Sequence, residues 1–246
     1  MPASVDSRRK QLLSLFDAEW QYVLRTNPEW ATMLGDSRYN DRLSDASPGF
    51  YQSDLEQKRK FLTRIEAIDP AGFSPQDTLS RELMIRELRQ EIEGTQFKHW
   101  EMPVNQMGGL HLELPGLVTL TPFNTVADYN NYLARLKQIP QAFEQLTANM
   151  RQGLRDRLMP PRYLLEKVSA EADDIANKTG ESSPFAKPVE EFPANVPATQ
   201  QKRLRDAVLA VIAFQVLPAY ERFAAFVRTE YAPHGRSEPG IWSLPD

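Results

Sequence analysis

The stretch TQQKRLRDAVLAVIAFQVLPAYERFAAFVRTEY, residues 199–231, decides the fold class of this chain. Its apolar side chains return every three or four residues, from Leu204 through Ile212 to Tyr231. This spacing places them on one face of a helix. Pro218 lacks an amide hydrogen and should kink that helix. The stretch therefore predicts a long helix with one face packed on a core.

The same helical period recurs along most of the chain. Predicted helices begin near Asp6, Asn27, Tyr51, Ser74, Thr125, Pro140, Pro160 and Thr199. Capping-box patterns mark two of these starts, since an aspartate follows Ser74 and Thr125 at the third position. We predict a mainly α fold of about seven or eight helices in a single helical domain, 1–246. The proline-rich residues 181–197 should form an exposed, semi-stiff connection within it.

Residues 95–124 interrupt the helical pattern with several glycines and prolines. The alternation from Leu110 to Leu114 has the period of a half-buried strand. Pro115-Gly116 is a natural turn pair for a type II turn. We therefore predict an ordered, irregular insertion with a short extended piece at about 110–114, for which a small β-hairpin is one form.

The residues before this piece are the best candidates for lining a cleft. Gly108 and Gly109 let a backbone approach a ligand closely, and the amides of Asn105 and Gln106 can donate and accept hydrogen bonds. We predict that the turn at 105–109 lies on a concave surface. A simple connector without a cleft is the alternative.

Composition excludes several classes of function. The 246 residues carry a formal net charge of -4 and contain no cysteine, which removes thiol catalysis, cysteine–zinc sites and disulfides. No basic stripe indicates nucleic acid, and no apolar run approaches the roughly 18 residues of a membrane span. The first residues lack the basic and apolar regions of a signal peptide.

Side chains for catalysis or metal binding are few. His99 with Glu101, and His111 with Glu113, could supply nitrogen and carboxylate ligands if these segments were extended. This spacing arises readily without a metal, so hydrogen-bonded or surface histidines are the favoured interpretation. The carboxylate pairs Asp173-Asp174 and Glu190-Glu191 are interpreted as solvated surface. The sequence thus predicts neither catalytic residues nor metal ligands in this chain.

Several motifs in order resemble one bacterial family, called domain of unknown function 885. They are TMLGDSRYNDRLSD at 32–45, PVNQMGG at 103–109, PFNT at 122–125, YAPH at 231–234 and GIWSLP at 240–245. The resemblance extends over nearly the whole chain. It implies a helical fold in proteins typically more than twice this length, often exported and similar to zinc-dependent peptidases.

The resemblance also implies that the family's zinc motifs lie in a C-terminal half, and none of them maps onto a residue of this chain. We therefore expect the non-catalytic, N-terminal half of a longer zinc-peptidase-like hydrolase. This half would form one wall of a cleft for a peptide-like substrate, with the C-terminal half as its partner and zinc held there. An exported or periplasmic location follows from the resemblance. The alternative function is a free-standing helical protein-interaction module.

Overall fold

A computed structural model describes residues 3–245, which group into two compact units. The small unit comprises the described residues through Thr26 together with Pro48–His99, and the large unit comprises Asn27–Ser47 and the described residues from Trp100 onward. Within residues 3–245 there are nine helices and no strand, and 73% of the chain is helical. The prediction of a mainly α, multi-helix fold is confirmed, whereas the single domain stays a prediction.

The small unit contains three helices, α1 (Val5–Thr26), α3 (Pro48–Glu66) and α4 (Pro75–Gly94). Ser74 caps α4 as the sequence indicated, because its hydroxyl accepts a hydrogen bond from the Asp77 amide at 3.1 Å. Apolar side chains at helical spacing form the core of this unit, namely Leu12, Leu15, Phe61, Ile65, Ile68, Ile85 and Leu88.

The large unit contains six helices around a second core. They are α2 (Pro28–Met33), α5 (Leu110–Leu117), α6 (Val126–Leu136), α7 (Ile139–Asp156), α8 (Arg162–Ala176) and α9 (Ala198–His234). Thr125 and Asp128 form a complete capping box at the start of α6. Helix α9 packs along α8, where the Ser169 hydroxyl donates to the carbonyl of Ala224 at 3.1 Å.

Helix α9 is continuous through Pro218, with a π-helical turn at Ile212–Val216 immediately before it and another at Val227–Tyr231. A π turn changes the local hydrogen-bond register, which accommodates a proline without ending the helix. By length and composition, α9 is the one helix within residues 3–245 that could cross a membrane. Buried core helices share these properties, and much of α9 is buried in the large unit.

The prediction of an extended piece at 110–114 is wrong, because these residues form the first part of helix α5. Leu110, Leu114 and Leu117 are spaced by four and three residues, so the same leucines also fit a helix face. Leu114 and Leu117 are buried while Leu112 is exposed. Helix α5 is the helix that the sequence did not predict, and the predicted turn at Pro115 is likewise wrong, since Pro115 lies inside α5.

A proline inside a helix leaves the carbonyl four residues earlier without its usual donor. For Pro115 that carbonyl belongs to His111, and it accepts a hydrogen bond from the Tyr220 hydroxyl at 3.1 Å. Both His111 and Tyr220 are buried. The partner that α5 cannot supply is therefore provided by α9.

The proline-rich residues 181–197 connect α8 to α9, but the prediction of an exposed connection is wrong. Phe185, Val189 and Val196 are buried in the core of the large unit. The buried hydroxyls of Tyr132 and Tyr129 donate to the carbonyls of Phe185 at 2.8 Å and Pro188 at 3.0 Å. The prolines prevent a regular helix, while the apolar residues between them still gain from burial.

We predict that Tyr220→Phe destabilises the large unit by about 1–3 kcal/mol, because it leaves the buried carbonyl of His111 without a donor. The measurement is the free energy of unfolding from urea denaturation. Tyr163→Phe is the matched control, since Tyr163 is 52% exposed and should change that free energy by less than about 0.5 kcal/mol. Equal effects of the two substitutions would contradict the role given to the Tyr220 hydroxyl.

Candidate functional site

The large unit contains a largely apolar cavity of about 580 Å³. This volume lies within the range of pockets that bind small ligands. The cavity is lined by Asn27, Glu29, Trp30, Met33, Ser44, Ala46, Pro103, Gly109, Leu110, Glu113, Leu114, Gly116, Leu117, Leu120, Ala142 and Leu146. Helices α2, α5 and α7 and the segment after α2 therefore each contribute to its wall.

Gly109 sets the position of the α5 wall. Its φ of 126° and ψ of 163° are accessible almost only to glycine. An added Cβ would lie 3.0 Å from Cγ1 of Val104, 3.1 Å from the carbonyl oxygen of Pro103 and 3.2 Å from Nδ1 of His111. The backbone thus turns sharply into α5 at a point where no larger residue fits.

The α2 wall is held in place by the buried side chain of Arg135 on α6. Its Nη2 donates to the Thr32 hydroxyl at 2.9 Å and to the Tyr39 carbonyl at 3.1 Å, and its Nε donates to the Arg42 carbonyl at 2.8 Å. Burial lowers the pKa of this guanidinium, while Glu29 and Asp41 raise it. The three contacts join α2 and the segment after it to one point on α6.

Amide side chains on α7, and one just before it, bind the backbone of the segment that follows α2. Gln138 accepts from the Leu43 amide at 3.2 Å and donates to the Asp41 carbonyl at 2.6 Å. Gln145 accepts from the Ala46 amide at 3.1 Å, and Asn149 donates to the Ala46 carbonyl at 2.6 Å. These side chains satisfy backbone groups of residues 41–46, which form no helix or strand.

Two carboxylates are the charged groups among the residues that line the cavity. Glu29 is half-buried and accepts from the Ser44 amide at 2.8 Å. Glu113 is exposed, and its Oε1 accepts from the Gly109 amide at 3.2 Å. No lysine or arginine belongs to this described lining.

His111 lies behind the cavity wall rather than in it. Its Nε2 is 3.1 Å from Oε2 of Glu171, and its Nδ1 has no hydrogen-bond partner within residues 3–245. Burial lowers the pKa of His111 below its ordinary value, although Glu171 and Glu113 act in the opposite direction. This histidine connects α5 to α8.

The histidine–glutamate pairs are placed on helical segments, not on extended ones. His99 and Glu101 lie in a 3₁₀ turn, and His111 and Glu113 lie in α5. Residues two apart on a helix do not face each other. Within residues 3–245, no group of three or more histidine, aspartate or glutamate side chains is placed to hold a metal ion.

The predicted carboxylate pairs lie at the surface. Asp174 is 3.3 Å from the ammonium of Lys178, and Asp173 pairs with Arg228. Glu190 and Glu191 are exposed. The interpretation as solvated surface is confirmed for Asp174, Glu190 and Glu191, whereas Asp173 is half-buried against Arg228.

Of the four residues predicted to line a cleft, which are Asn105, Gln106, Gly108 and Gly109, one lines the cavity. Asn105 and Gly108 close a tight turn through hydrogen bonds of 3.0 and 3.4 Å between their backbones. Gly109 lines the cavity, whereas Asn105, Gln106 and Gly108 do not belong to its described lining. A cleft-lining role for these four residues stays a prediction.

Sequence reasoning missed most of the cavity wall. Trp30 is 41% exposed and Met33 is 60% exposed, and both line the cavity. The motif at 32–45 was the available signal, because the structure attaches this whole segment next to the cavity. Its proximity to α5 could not be inferred from spacing along the chain.

Together these features define a helical protein with a largely apolar cavity in its large unit. The sequence model of the family described as "Bacterial protein of unknown function (DUF885)" matches residues 28–246, and the chain belongs to that family. No curated protein matches the chain.

A solved structure, that of a "putative lipoprotein from Colwellia psychrerythraea", has a similar fold. The TM-score is 0.87 at 19% sequence identity, and the similarity covers 97% of this chain and 44% of that one. The chain therefore spans less than half the length of the protein that it resembles in structure.

We predict that Arg135→Lys destabilises the large unit by about 2–4 kcal/mol, because a lysine cannot reproduce the three directed hydrogen bonds of the guanidinium. Arg155→Lys is the control, since Arg155 is exposed on α7 and its replacement should cost less than about 0.5 kcal/mol. Urea denaturation gives both values. A loss at Arg135 no greater than that at Arg155 would show that the attachment of α2 does not depend on the guanidinium.

Gly109→Ala should destabilise the large unit by about 1–3 kcal/mol, since alanine strains both the backbone and the contacts with Val104 and Pro103. The neighbouring Gly108→Ala should be nearly neutral, because no atom lies within 4 Å of its added Cβ. Thermal unfolding of both variants, followed by circular dichroism, tests the difference. Similar melting temperatures would contradict the constraint assigned to Gly109.

Proposed function

We propose that this chain is the non-catalytic, N-terminal helical half of a longer zinc-peptidase-like hydrolase. In this proposal the apolar cavity forms part of one wall of the substrate cleft. The zinc ion and the catalytic residues belong to the C-terminal half, which is the partner of this chain. The observation that carries the proposal is the largely apolar cavity of about 580 Å³ in a chain of this family.

The length of the structurally similar lipoprotein supports a longer protein, because this chain covers 44% of it. The description of that protein as a lipoprotein also agrees with an exported location, which we include in the proposal. The similarity at 19% identity concerns the fold alone, so the peptidase-like activity comes from the family resemblance of the sequence motifs.

The lining of the cavity supports a role in substrate binding. Trp30, Met33 and Leu120 are large apolar residues that remain 41–60% exposed where they border the cavity. An apolar side chain of a peptide that covered them would be removed from water together with them, and this burial contributes about 25 cal/mol for each Å². A cavity wall of this kind binds substrate without taking part in bond cleavage.

An interaction module is the second candidate, and the exposed side chain of Phe214 on α9 favours it. Phe214 is 81% exposed, and a protein partner that covered it would remove its apolar surface from water. In that case the chain would bind a protein partner through α9 without any hydrolytic function.

The decisive experiment compares peptide hydrolysis by the longer gene product and by this chain, each with zinc and a mixed peptide library. We expect cleavage by the longer protein and none by this chain. In the longer protein, Met33→Trp should fill part of the cavity and lower kcat/KM by about 10-fold or more.

Leu34→Trp is the matched control, because Leu34 is the next residue, is 51% exposed and does not belong to the cavity lining. It should leave kcat/KM within about twofold of the unsubstituted protein. Equal decreases of kcat/KM for Met33→Trp and Leu34→Trp would show that the cavity is not part of the substrate cleft. Absence of hydrolysis by the longer protein would exclude the peptidase function and leave the interaction module.

A further inference from the structure

The charged residues that line the cavity favour apolar ligands of one sign of charge over the other. Its described lining contains two carboxylates and no lysine or arginine, so an anionic group at the rim would have no cationic side chain to meet. A cationic group would meet opposite charge, and complementary charge contributes chiefly to specificity. An apolar ligand with an adjacent positive charge is thus favoured over an apolar anion.

The two carboxylates are not equivalent. Glu29 accepts hydrogen bonds from the amide and the hydroxyl of Ser44, and the buried Arg135 lies within electrostatic range of it. The charge of Glu29 is therefore largely compensated by the protein. It holds Ser44 against α2 and offers little to a ligand.

Glu113 is exposed at the rim, and only its Oε1 has a hydrogen-bond donor among the described residues, the Gly109 amide. This contact places its negative charge at the first turn of α5, where the exposed amides would otherwise attract an anion. Its second carboxylate oxygen remains available to a donor from a ligand. Of the two carboxylates, Glu113 is therefore the one that can accept from a cationic group of a ligand, and Leu110 and Leu114 of the same helix also line the cavity.

We propose that this cavity binds the amino-terminal residue of a peptide, with an apolar side chain inside the cavity and the free α-ammonium at Glu113. The α-ammonium is the favoured source of charge because it is attached to the same Cα as the side chain, so one residue can occupy both positions. This inference rests on the proposed function, since it names the part of the substrate that the cleft wall would bind.

The test uses this chain, labelled with ¹⁵N, and three matched peptides that differ in charge. They are leucyl-leucine amide, which is cationic, N-acetyl-leucyl-leucine amide, which is neutral, and N-acetyl-leucyl-leucine, which is anionic. Amide chemical shifts of α2 and α5 give the dissociation constants. We expect the cationic peptide to bind about 3- to 10-fold more tightly than the neutral one, and the anionic peptide to bind most weakly.

Glu113→Gln should reduce the difference between the cationic and neutral peptides to within about twofold while the neutral peptide keeps its affinity. Glu144→Gln is the control, because Glu144 is exposed on α7 and does not belong to the cavity lining. It should leave all three dissociation constants unchanged. Met33→Trp should weaken the binding of all three peptides.

Several results would overturn the proposal. These are equal binding of the three peptides, no binding at all, a preference that survives Glu113→Gln, or shifts confined to residues outside the cavity. A further arm uses N-acetyl-leucyl-lysine amide, whose charge lies on the lysine side chain. If it binds as tightly as leucyl-leucine amide, the assignment to an amino terminus is wrong.

The outcome is separable from that of the proposed function. If the charge preference holds while the longer protein hydrolyses no peptide, the cavity is a binding site for peptide amino termini without a peptidase role. Hydrolysis could instead depend on Met33 while the three peptides bind with equal affinity. That result would support the cavity as part of the substrate cleft and would contradict the binding of the α-ammonium by Glu113.

Discussion

The hydrogen bond from the Tyr220 hydroxyl to the carbonyl of His111 is the contact on which the candidate site depends. Pro115 removes the donor that this carbonyl would have within α5, and a buried carbonyl without a partner is costly. Tyr220 supplies the donor from α9, and Glu171 binds the His111 side chain from α8. A short helix with an internal proline is thereby fixed in place, and its leucines form one wall of the cavity.

The opposite wall depends on a different principle, in which side chains of regular helices satisfy the backbone of an irregular segment. Arg135 binds three groups of residues 32–42, and Gln138 and Gln145 continue the series to Ala46. Because each bond is directional, the segment has one position on α6 and α7. The cavity therefore lies between two walls that are each held by polar contacts from neighbouring helices.

The periodic parts of the fold were accessible from sequence. Ser74 and Thr125 begin helices as predicted, because a cap and an apolar stripe are local features that need no distant partner. The failures occurred at Leu110–Leu117 and at residues 181–197, where the sequence pattern is short or interrupted by proline. At Leu110 and Leu114 the spacing satisfies both a strand and a helix, and burial against distant helices decided between them.

The sequence by itself determined a mainly helical protein, the family motifs and the need for glycine in the 105–109 region, since each follows from local backbone preference or residue order. Only the tertiary structure decided that Gly109, Met33 and Leu146 share one cavity. These residues are far apart along the chain, and their proximity results from packing around Arg135 and Tyr220. Long-range contacts of this kind leave no period in the sequence, which is why three of the four cleft candidates proved to lie outside the described lining.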